Sequence, residues 1–507
     1  MNSVLAQLDD SGTAHPGEAG RRAGRIPEIL LIAGPALLAG GLCLIQVDGR
    51  SLGFDESASV AIASEHGAAL WSAIAHDGGN MAGYYVLLHV LIAAFGHGEV
   101  VLRLPSAIGA AAASALTALL ALRLFDRRVA FAAGLLMVVS LPLVFWGQSA
   151  RSYAILVALS AGSFLAFAVL LESDRPRAAW FAYVLCTTAA LYASLMALLI
   201  LAAQLVALVW HPRGRRLVAP AVGAIAVLSV PLMILGARRG SGQLFWVPRP
   251  DLTSAKQVAV TLTSAGLPPS IHTTSTTYPL LALSLLTLIV AAAALFTEAR
   301  HWPSVLVLSW ILVPMAIAVV ESLVGQSIFV SRNLLVVLPA VALLLAWGLT
   351  RLSLGWALLA AVLALRALQL APAYGVSPED WLAATADVMR NAEPGDCVAF
   401  YPSDGRNAFR DYVRGQPPRA VLPPVPWSYE RAYIENYATL TTPPAGCRRL
   451  WLVSSHEGQA TGPGRSRANL ARYQSLRSML TAAYGNGRVT RFGYADAVGV
   501  ELFGPRA

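Results

Sequence analysis

Long apolar stretches recur along most of this 507-residue chain, and they constrain its fold more than any other feature. About 20 apolar residues in an α-helix are enough to cross the roughly 30 Å hydrocarbon core of a bilayer. Only 13% of the residues are charged, whereas a soluble domain carries about 25%. The pattern predicts an all-α polytopic membrane protein. We expect about eleven transmembrane helices, at 29–47, 105–122, 129–146, 152–171, 178–192, 194–210, 217–236, 278–297, 302–320, 333–350 and 353–371.

The distribution of arginine predicts the orientation, because basic residues concentrate in short cytoplasmic loops. Arg21, Arg22 and Arg25 precede the first predicted span, so the tail at 1–28 is expected to be cytoplasmic and disordered. The short loops on the same side by alternate counting also carry arginine. The formal net charge of +9 does not indicate nucleic-acid binding, since the arginines are spread over many loops instead of forming one face.

Two outer loops are too long to be simple connections, and the chain changes character after the last span. The loops cover 48–104 and 237–277, and the membrane domain as a whole covers 29–371. From 372 to 507 the chain is rich in arginine, interrupted by Pro and Gly, and unable to span. Predicted helices and strands alternate there, which favours a small α/β domain. An odd number of spans places this domain on the extracytoplasmic side. Its expected elements are helices at 380–391, 406–413 and 466–484, and strands at 397–401, 450–454, 489–494 and 499–503.

The chain has four cysteines. Cys43 and Cys186 lie in predicted spans, where a free thiol behaves as a small apolar group. Cys397 and Cys447 lie in the predicted outer domain, where an oxidising compartment permits a disulfide. Whether the disulfide forms is left open. Without a Cys-x-x-Cys pair or a histidine cluster, no zinc site is predicted. The later outer loop offers only Asp251 as an acidic group, so no divalent metal ion is predicted either.

Asp55 and Glu56 form an acidic pair shortly after the first predicted span. A carboxylate at the membrane centre costs roughly 2.5–3.5 kcal/mol, so acidic side chains are placed at the ends of spans. There, polar chemistry can meet a substrate carried by a lipid. A solvated loop is the common alternative, and the pair alone does not decide between the two.

Short motifs around this pair resemble those of one enzyme family. Tyr84–His89 reads YYVLLH, Glu99–Ser106 reads EVVLRLPS, Gln148–Tyr153 reads QSARSY, and Arg332 precedes a late span. In this order the motifs are similar to those of GT-C glycosyltransferases. More narrowly, they resemble the bacterial branch related to protein O-mannosyltransferases and to the aminoarabinose transferase of lipid A. Each motif is weak alone, so the order and spacing carry the resemblance.

The resemblance implies a multi-pass glycosyltransferase of the bacterial plasma membrane, with its active site on the extracytoplasmic face. It would transfer a mannose-like or arabinose-like sugar from a polyprenyl-phosphate carrier to a hydroxyl of a lipid, glycan or protein, with inversion. No cofactor is expected. Asp55 matches the family's base, and a carboxylate suits that role if it reaches the acceptor hydroxyl. Glu56 is either an alternative base or a helix-start residue that orients the site.

Arg103, Arg151 and Arg332 are the candidates for binding the donor phosphate. All three are expected at the outer ends of separate spans, and the planar guanidinium suits bidentate contact with phosphate. The alternatives are snorkelling to the interface or pairing with a carboxylate. For Arg103, Glu99 lies four residues earlier and is an obvious partner.

Tyr85, Tyr153 and Trp246 are the aromatic candidates for a substrate groove. An interfacial aromatic belt is the commoner role for such residues. The sequence also departs from the family: Asn80 lies where some relatives have a basic contact to the donor, and it supplies no charge.

Two other functions compete with an enzyme. A transporter or export component for lipid-linked sugars would need a polar path across the membrane. Gln204 is among the few polar side chains deep in a predicted span, and charges otherwise concentrate near span ends, which favours the enzyme. An assembly scaffold built around the outer domain would not need Asp55.

Overall fold

The structure is a computed structural model, and it describes residues 27–173, 176–211, 214–239, 244, 246–267, 275–297, 302–423, 437–460, 464–494 and 497–504. The tail at 1–26 and parts of the loop at 237–277 lie outside the described residues. In the membrane domain the helices are α1 (Glu28–Leu44), α2 (Phe54–Ala63), α3 (Ala68–His76), α4 (Ala82–Phe95), α5 (Glu99–Leu124), α6 (Arg127–Val138), α7 (Leu141–Gly147), α8 (Tyr153–Glu172), α9 (Arg177–Ala193), α10 (Leu198–Ala207), α11 (Gly214–Arg239), α12 (Leu252–Leu262), α13 (Thr277–Thr297), α14 (Trp302–Val324), α15 (Leu338–Arg351) and α16 (Gly355–Tyr374). Short 3-10 turns at Leu195–Ala197, Leu208–Trp210 and Ser331–Val337 extend α10 and α15.

Each predicted span coincides with a helix or a broken helix. Among the described residues, seven helices are long and apolar enough to cross a membrane, and α6 with α7 makes an eighth if that bent pair is one span. The two halves meet at 55° near Ser140, and Pro142 lies in the first turn of α7, where proline is well tolerated. Helix α1, helix α9 and the segment 195–210 are shorter. The all-α polytopic class is confirmed, and the count of eleven stays a prediction.

One polar cluster inside the bundle is formed by side chains that bond to one another. Gln204 accepts a hydrogen bond from Tyr183 and donates one to Ser163, at 3.0 and 2.8 Å. Arg366 is an exception to the expected position of charges at span ends. It lies in the middle of α16, 2% exposed, and donates to the carbonyl oxygens of Leu136 and Thr263 at 3.2 and 2.7 Å.

The C-terminal segment forms a small domain around a five-stranded sheet, as expected. Its strands are β1 (Cys397–Tyr401), β2 (Arg419–Ala420), β3 (Leu450–Ser454), β4 (Arg488–Phe492) and β5 (Val498–Phe503), with helices α17 (Trp381–Asn391), α18 (Gly405–Tyr412) and α19 (Gly464–Tyr484). The order is β2-β1-β3-β5-β4. Strand β1 is parallel to β2 and β3, whereas β5 is antiparallel to β3 and β4. All five residues of β1 and of β3 are buried, so the parallel pair forms the centre of the domain.

The cysteines of this domain are joined. Cys397, at the start of β1, forms a disulfide with Cys447 across 50 residues. Cys43 and Cys186 are free.

Candidate active site

A large cavity lies between the first long loop and the C-terminal domain. Its volume is about 1580 Å³, and six of the eight site residues predicted from sequence line it. They are Asp55, Tyr85, Arg151, Tyr153, Trp246 and Arg332. Glu56 and Arg103, which also belong to the described part of the chain, lie behind the cavity wall.

Asp55 lies in the first turn of α2 and faces the cavity. Its Oδ2 accepts a hydrogen bond from Nη1 of Arg332 at 2.8 Å, and Nη2 of Arg151 lies 4.0 Å from the same oxygen. The side chain remains 46% exposed. Burial of the site acts to raise the pKa of Asp55, but Arg151 and Arg332 outweigh it and hold the pKa well below its usual range. The carboxylate is therefore ionised at neutral pH.

The two arginines reach Asp55 from different parts of the bundle. Arg151 comes from the turn before α8, and it also donates to the Asp55 carbonyl and to Ser59 Oγ at 3.1 and 3.0 Å. Arg332 comes from the 3-10 turn before α15, and its guanidinium lies 4.3 Å from the centre of the Trp246 ring. These contacts fix both guanidinium groups on the cavity wall, next to one carboxylate.

Glu56 points the other way and closes the start of α2. Its Oε2 accepts from the backbone N–H of Gly53 at 3.0 Å, which completes a capping box. Its Oε1 accepts from the backbone N–H of Ala150 at 2.6 Å and from Nε of Arg103 at 3.2 Å. The carboxylate is saturated by these bonds and 13% exposed. Of the two roles expected for Glu56, the geometry favours orientation of the site over proton transfer.

Arg103 is buried, at 0% exposure, and all its N–H groups are used inside the protein. It donates to Glu56, to Glu99, and to the carbonyl oxygens of Val47, Arg50 and Ser51. The structure does not bring Arg103 to the cavity with Arg151 and Arg332. Of the two roles expected for Arg103, the geometry favours pairing with Glu99, at 3.1 Å, over contact with the donor phosphate.

The aromatic candidates have different surroundings. Tyr85 is buried and donates to Oδ2 of Asp77 at 2.9 Å. Tyr153 packs against Trp146 with ring centres 4.3 Å apart. Trp246 stacks on Arg332, so it borders the charged end of the cavity.

The C-terminal domain supplies further cavity residues that the sequence did not predict. Glu379, Asp404, Arg406 and His456 all line the cavity together with Asp55. Asp404 and His456 follow the carboxyl ends of the parallel strands β1 and β3, where ligand-binding residues of such sheets concentrate. That rule is the sequence signal that could have found them.

Specific bonds dock this domain against the acidic segment. Tyr412 donates to Oε1 of Glu99 at 2.7 Å and accepts from the backbone N–H of Leu52 at 2.6 Å. Oε2 of Glu379 accepts from the backbone N–H of Phe54, the residue before Asp55, at 2.6 Å. The domain thus holds both the start of α2 and the helix that carries Arg103.

Among the described residues, no group of three His, Cys, Asp or Glu side chains is placed to hold a metal ion. A metal-free reaction stays a prediction.

Comparison with known proteins gives a family match over part of the chain and a shared fold over most of it. Residues 81–236 match the family described as dolichyl-phosphate-mannose-protein mannosyltransferase. The fold is similar to that of ArnT from Cupriavidus metallidurans, both in the apo state and bound to undecaprenyl phosphate. The TM-scores are 0.55 and 0.56 at 15% identity, with 94% of this chain and 99% of ArnT covered. An oligosaccharyltransferase from Archaeoglobus fulgidus, solved with zinc and sulfate, has a TM-score of 0.51 at 14% identity, over 92% of this chain and 73% of that one. Comparison with curated protein sequences gives no significant match.

The family match covers less than a third of the chain, and the similarity to ArnT, at 15% identity, shows the fold. The matched residues include the motifs at Tyr84–His89, Glu99–Ser106 and Gln148–Tyr153, which supports the resemblance drawn from them.

Proposed function

We propose that the protein transfers a sugar from a polyprenyl-phosphate carrier to an acceptor hydroxyl, with inversion, and that Asp55 is the base. The observation that supports this is the meeting of one ionised carboxylate with two arginines in a single large cavity. Arg332 lies 2.8 Å from Asp55 and Arg151 lies 4.0 Å away. The undecaprenyl phosphate bound to ArnT supports a lipid phosphate as the donor group.

In this proposal, Arg151 and Arg332 bind the departing phosphate. A guanidinium forms charge-assisted hydrogen bonds with phosphate oxygens, which are shorter and stronger than neutral ones. As the bond between the anomeric carbon and the phosphate oxygen breaks, the electron pair stays on that oxygen, and Arg151 and Arg332 stabilise the added charge.

The acceptor reaches the anomeric carbon from the side of Asp55. Its hydroxyl oxygen forms the new bond while its proton moves to the carboxylate. In the free protein the arginines neutralise Asp55. When a donor phosphate binds, the two guanidinium groups pair with its oxygens. The carboxylate then has less positive charge beside it, which raises the basicity of Asp55. Donor binding therefore prepares the base.

The acceptor side of the cavity is bordered by the C-terminal domain, through residues such as Asp404 and Arg406. The donor and acceptor would meet on the extracytoplasmic face of a bacterial plasma membrane. A mannose-like hexose and an arabinose-like pentose are both compatible with this proposal, as are lipid, glycan and protein acceptors.

The test is a transfer assay with the purified full chain, radiolabelled polyprenyl-phosphate sugars of both classes, and membrane extract as acceptor. We expect labelled product and free polyprenyl phosphate from at least one donor. An Arg151→Met, Arg332→Met double variant should lose donor binding. Transfer at the wild-type rate by that double variant would contradict the phosphate-binding role of both arginines.

A further inference from the structure

The sheet of the C-terminal domain has a topological switch point between β1 and β3. The two strands are adjacent and parallel along their whole length. From β1 the chain runs through α18 to β2 on one side of the pair, and from β3 it runs through α19 to β4 and β5 on the other side. Connections that leave two parallel neighbours in opposite directions open a crevice outside their carboxyl ends, and open α/β sheets bind ligands in such a crevice.

This crevice opens into the cavity that contains Asp55. Asp404 and Asn407 follow β1 and line the cavity, as do Gln459, which follows β3, and Asn469 of α19. The carboxylate and the two arginines of the proposed reaction line the same cavity from the membrane domain. The volume of about 1580 Å³ exceeds the roughly 300–1,000 Å³ of a site for one small ligand. The cavity therefore has room for an acceptor beside the donor sugar.

The loop that follows β3 packs tightly against α19. Gly458 has a φ of +102°, and a Cβ at this position would lie 2.2 Å from the carbonyl oxygen of Ser466. Glycine is the residue that permits both the positive φ and this close approach. Oγ of Ser466 also accepts a hydrogen bond from the backbone N–H of Gln459 at 2.9 Å. These contacts hold the backbone of Gln459 at the crevice, where its side chain is exposed.

Aromatic side chains pack at the carboxyl end of β1. Tyr401, the last residue of β1, donates a hydrogen bond to the carbonyl oxygen of Asn469. Its ring lies edge-on to that of Tyr437, with the ring centres 5.7 Å apart, and Tyr437 in turn lines the cavity. The backbone N–H of Ser455 donates to the carbonyl oxygen of Tyr401 at 2.8 Å, which joins the ends of β1 and β3. The crevice is therefore built on a packed, partly apolar base.

The charged groups that this domain contributes to the cavity do not favour an anionic ligand. Among the described residues they are three carboxylates, two guanidinium groups and one imidazole, from Glu379, Asp404, Glu457, Arg406, Arg410 and His456. Burial raises the pKa of Asp404 to about 6, and the neighbouring Arg406 offsets that effect only in part. A phosphate bound here would bring further negative charge next to these carboxylates.

Sugar hydroxyls match the polar groups of the crevice. A hydroxyl both donates and accepts hydrogen bonds, an amide offers donors and an acceptor, and a carboxylate accepts through two oxygens. Asp404, Asn407 and Gln459 supply one carboxylate and two amides in a single crevice. Tyr437 lies beside them, and aromatic rings provide apolar contact for the C–H groups of a sugar ring. Aromatic walls with a few placed polar groups are typical of sites that bind small molecules.

We propose that the crevice between β1 and β3 binds the sugar part of a carbohydrate acceptor and directs one of its hydroxyls to Asp55. This inference rests on the proposed function and narrows the acceptor to a glycan, either free or attached to a lipid. Asp404 and Gln459 are acceptor-binding residues on the two sides of the crevice. The acceptor oxygen bonds to the anomeric carbon, its proton moves to Asp55, and the polyprenyl phosphate leaves with the electron pair.

The first experiment identifies the group that receives the sugar. The full chain is incubated with a radiolabelled polyprenyl-phosphate sugar and membrane extract, and the product is digested with protease and partitioned between butanol and water. We expect label that mass spectrometry locates on a sugar residue, in butanol if the acceptor is a glycolipid and in water if it is a free glycan. Label on a peptide, or on a lipid that carries no other sugar, overturns the proposal.

The second experiment compares Asp404→Asn and Gln459→Ala with the control Asn391→Ala. Asn391 is exposed at the end of α17, where its side chain bonds to Asp387. We expect the apparent KM for the extract acceptor to rise about tenfold or more in Asp404→Asn, which loses a charged acceptor, and about 2- to 10-fold in Gln459→Ala. The kcat and the donor Kd should stay within about twofold of the control, since only acceptor binding is weakened. Tm should not fall, because Asp404→Asn removes a charge that burial disfavours and Gln459 is exposed.

The outcomes separate the acceptor crevice from the proposed function. An unchanged KM for the acceptor in both variants overturns the crevice. So does a higher KM that is accompanied by a lower Tm or by weaker donor binding, since a merely structural role would produce it. Either result, with transfer abolished in Asp55→Asn, leaves the proposed function standing. Undiminished transfer by Asp55→Asn removes the proposed function itself.

Discussion

Replacing Arg103 with methionine should destabilise the fold far more than it affects donor binding. The guanidinium is fully buried and donates to two carboxylates and three backbone carbonyls. Removing one partner of a buried, hydrogen-bonded ion pair costs about 3–5 kcal/mol, because the remaining charges are left uncompensated. With the usual entropy of unfolding per residue, that cost lowers Tm by about 3–5 °C if all 507 residues unfold together.

The matched variant is Arg332→Met. Arg332 is 26% exposed, makes one 2.8 Å bond to Asp55, and stacks on Trp246. Its loss should change Tm by about 1 °C or less, as expected for a partly exposed ion pair. Loss of a charge-assisted bond to the donor phosphate is worth about 1.5–3 kcal/mol, or roughly 10- to 150-fold in Kd.

The assay measures both quantities on the same preparations. Thermal unfolding in detergent gives Tm, and equilibrium binding of a polyprenyl-phosphate sugar gives Kd. A normal Tm with abolished binding in Arg103→Met would refute the structural role of Arg103 and restore it as a phosphate ligand. A collapse of Tm in Arg332→Met would refute the reasoning for Arg332.

Three further predictions concern the cavity and the C-terminal domain. Burial raises the pKa of Asp404 to about 6, so its ionised form opposes folding and stability falls as pH rises from about 4 to 6. Asp404→Asn should raise the free energy of unfolding at pH 8 by up to about 3 kcal/mol and should have no effect near pH 4. Chemical unfolding of both proteins at the two pH values measures this. An equal increase in the free energy of unfolding at both pH values would contradict the prediction. Replacing Cys397 and Cys447 with serine should cost about 2–5 kcal/mol, measured as the Tm of the double variant against wild type under non-reducing conditions. Trp246→Leu removes the ring from Arg332 and should raise KM for the donor a fewfold, whereas an unchanged KM would show that the stack does not position the guanidinium.

Most of the secondary structure followed from local pattern. Apolar runs of 15 or more residues became helices or broken helices, and the alternation of short strands with amphipathic helices after residue 372 gave the C-terminal domain. The break between α6 and α7 was missed because Ser140 and Pro142 interrupt the helix without interrupting the apolar run. The buried charge of Arg366 was also missed. Its guanidinium is stabilised by hydrogen bonds to carbonyl oxygens that lie far away in the sequence.

The candidate site was predictable where a motif placed a residue at a span end, as for Asp55, Arg151 and Arg332. It was not predictable where the outcome depends on contacts far apart in sequence. Glu56 and Arg103 turn inward because the backbone of Ala150 and the loop after α1 surround them. The contribution of the C-terminal domain depends on its docking, which places residues beyond 370 next to residue 55.

The account depends above all on Asp55, and one measurement tests it most directly. Asp55→Asn and the control Asp48→Asn, an exposed residue seven positions earlier, are compared for donor binding and for sugar transfer in a single turnover. The account predicts that Asp55→Asn binds the donor within a fewfold of the control but transfers the sugar at least about 100-fold more slowly. Transfer at the same rate in both variants would contradict the assignment of Asp55 as the base.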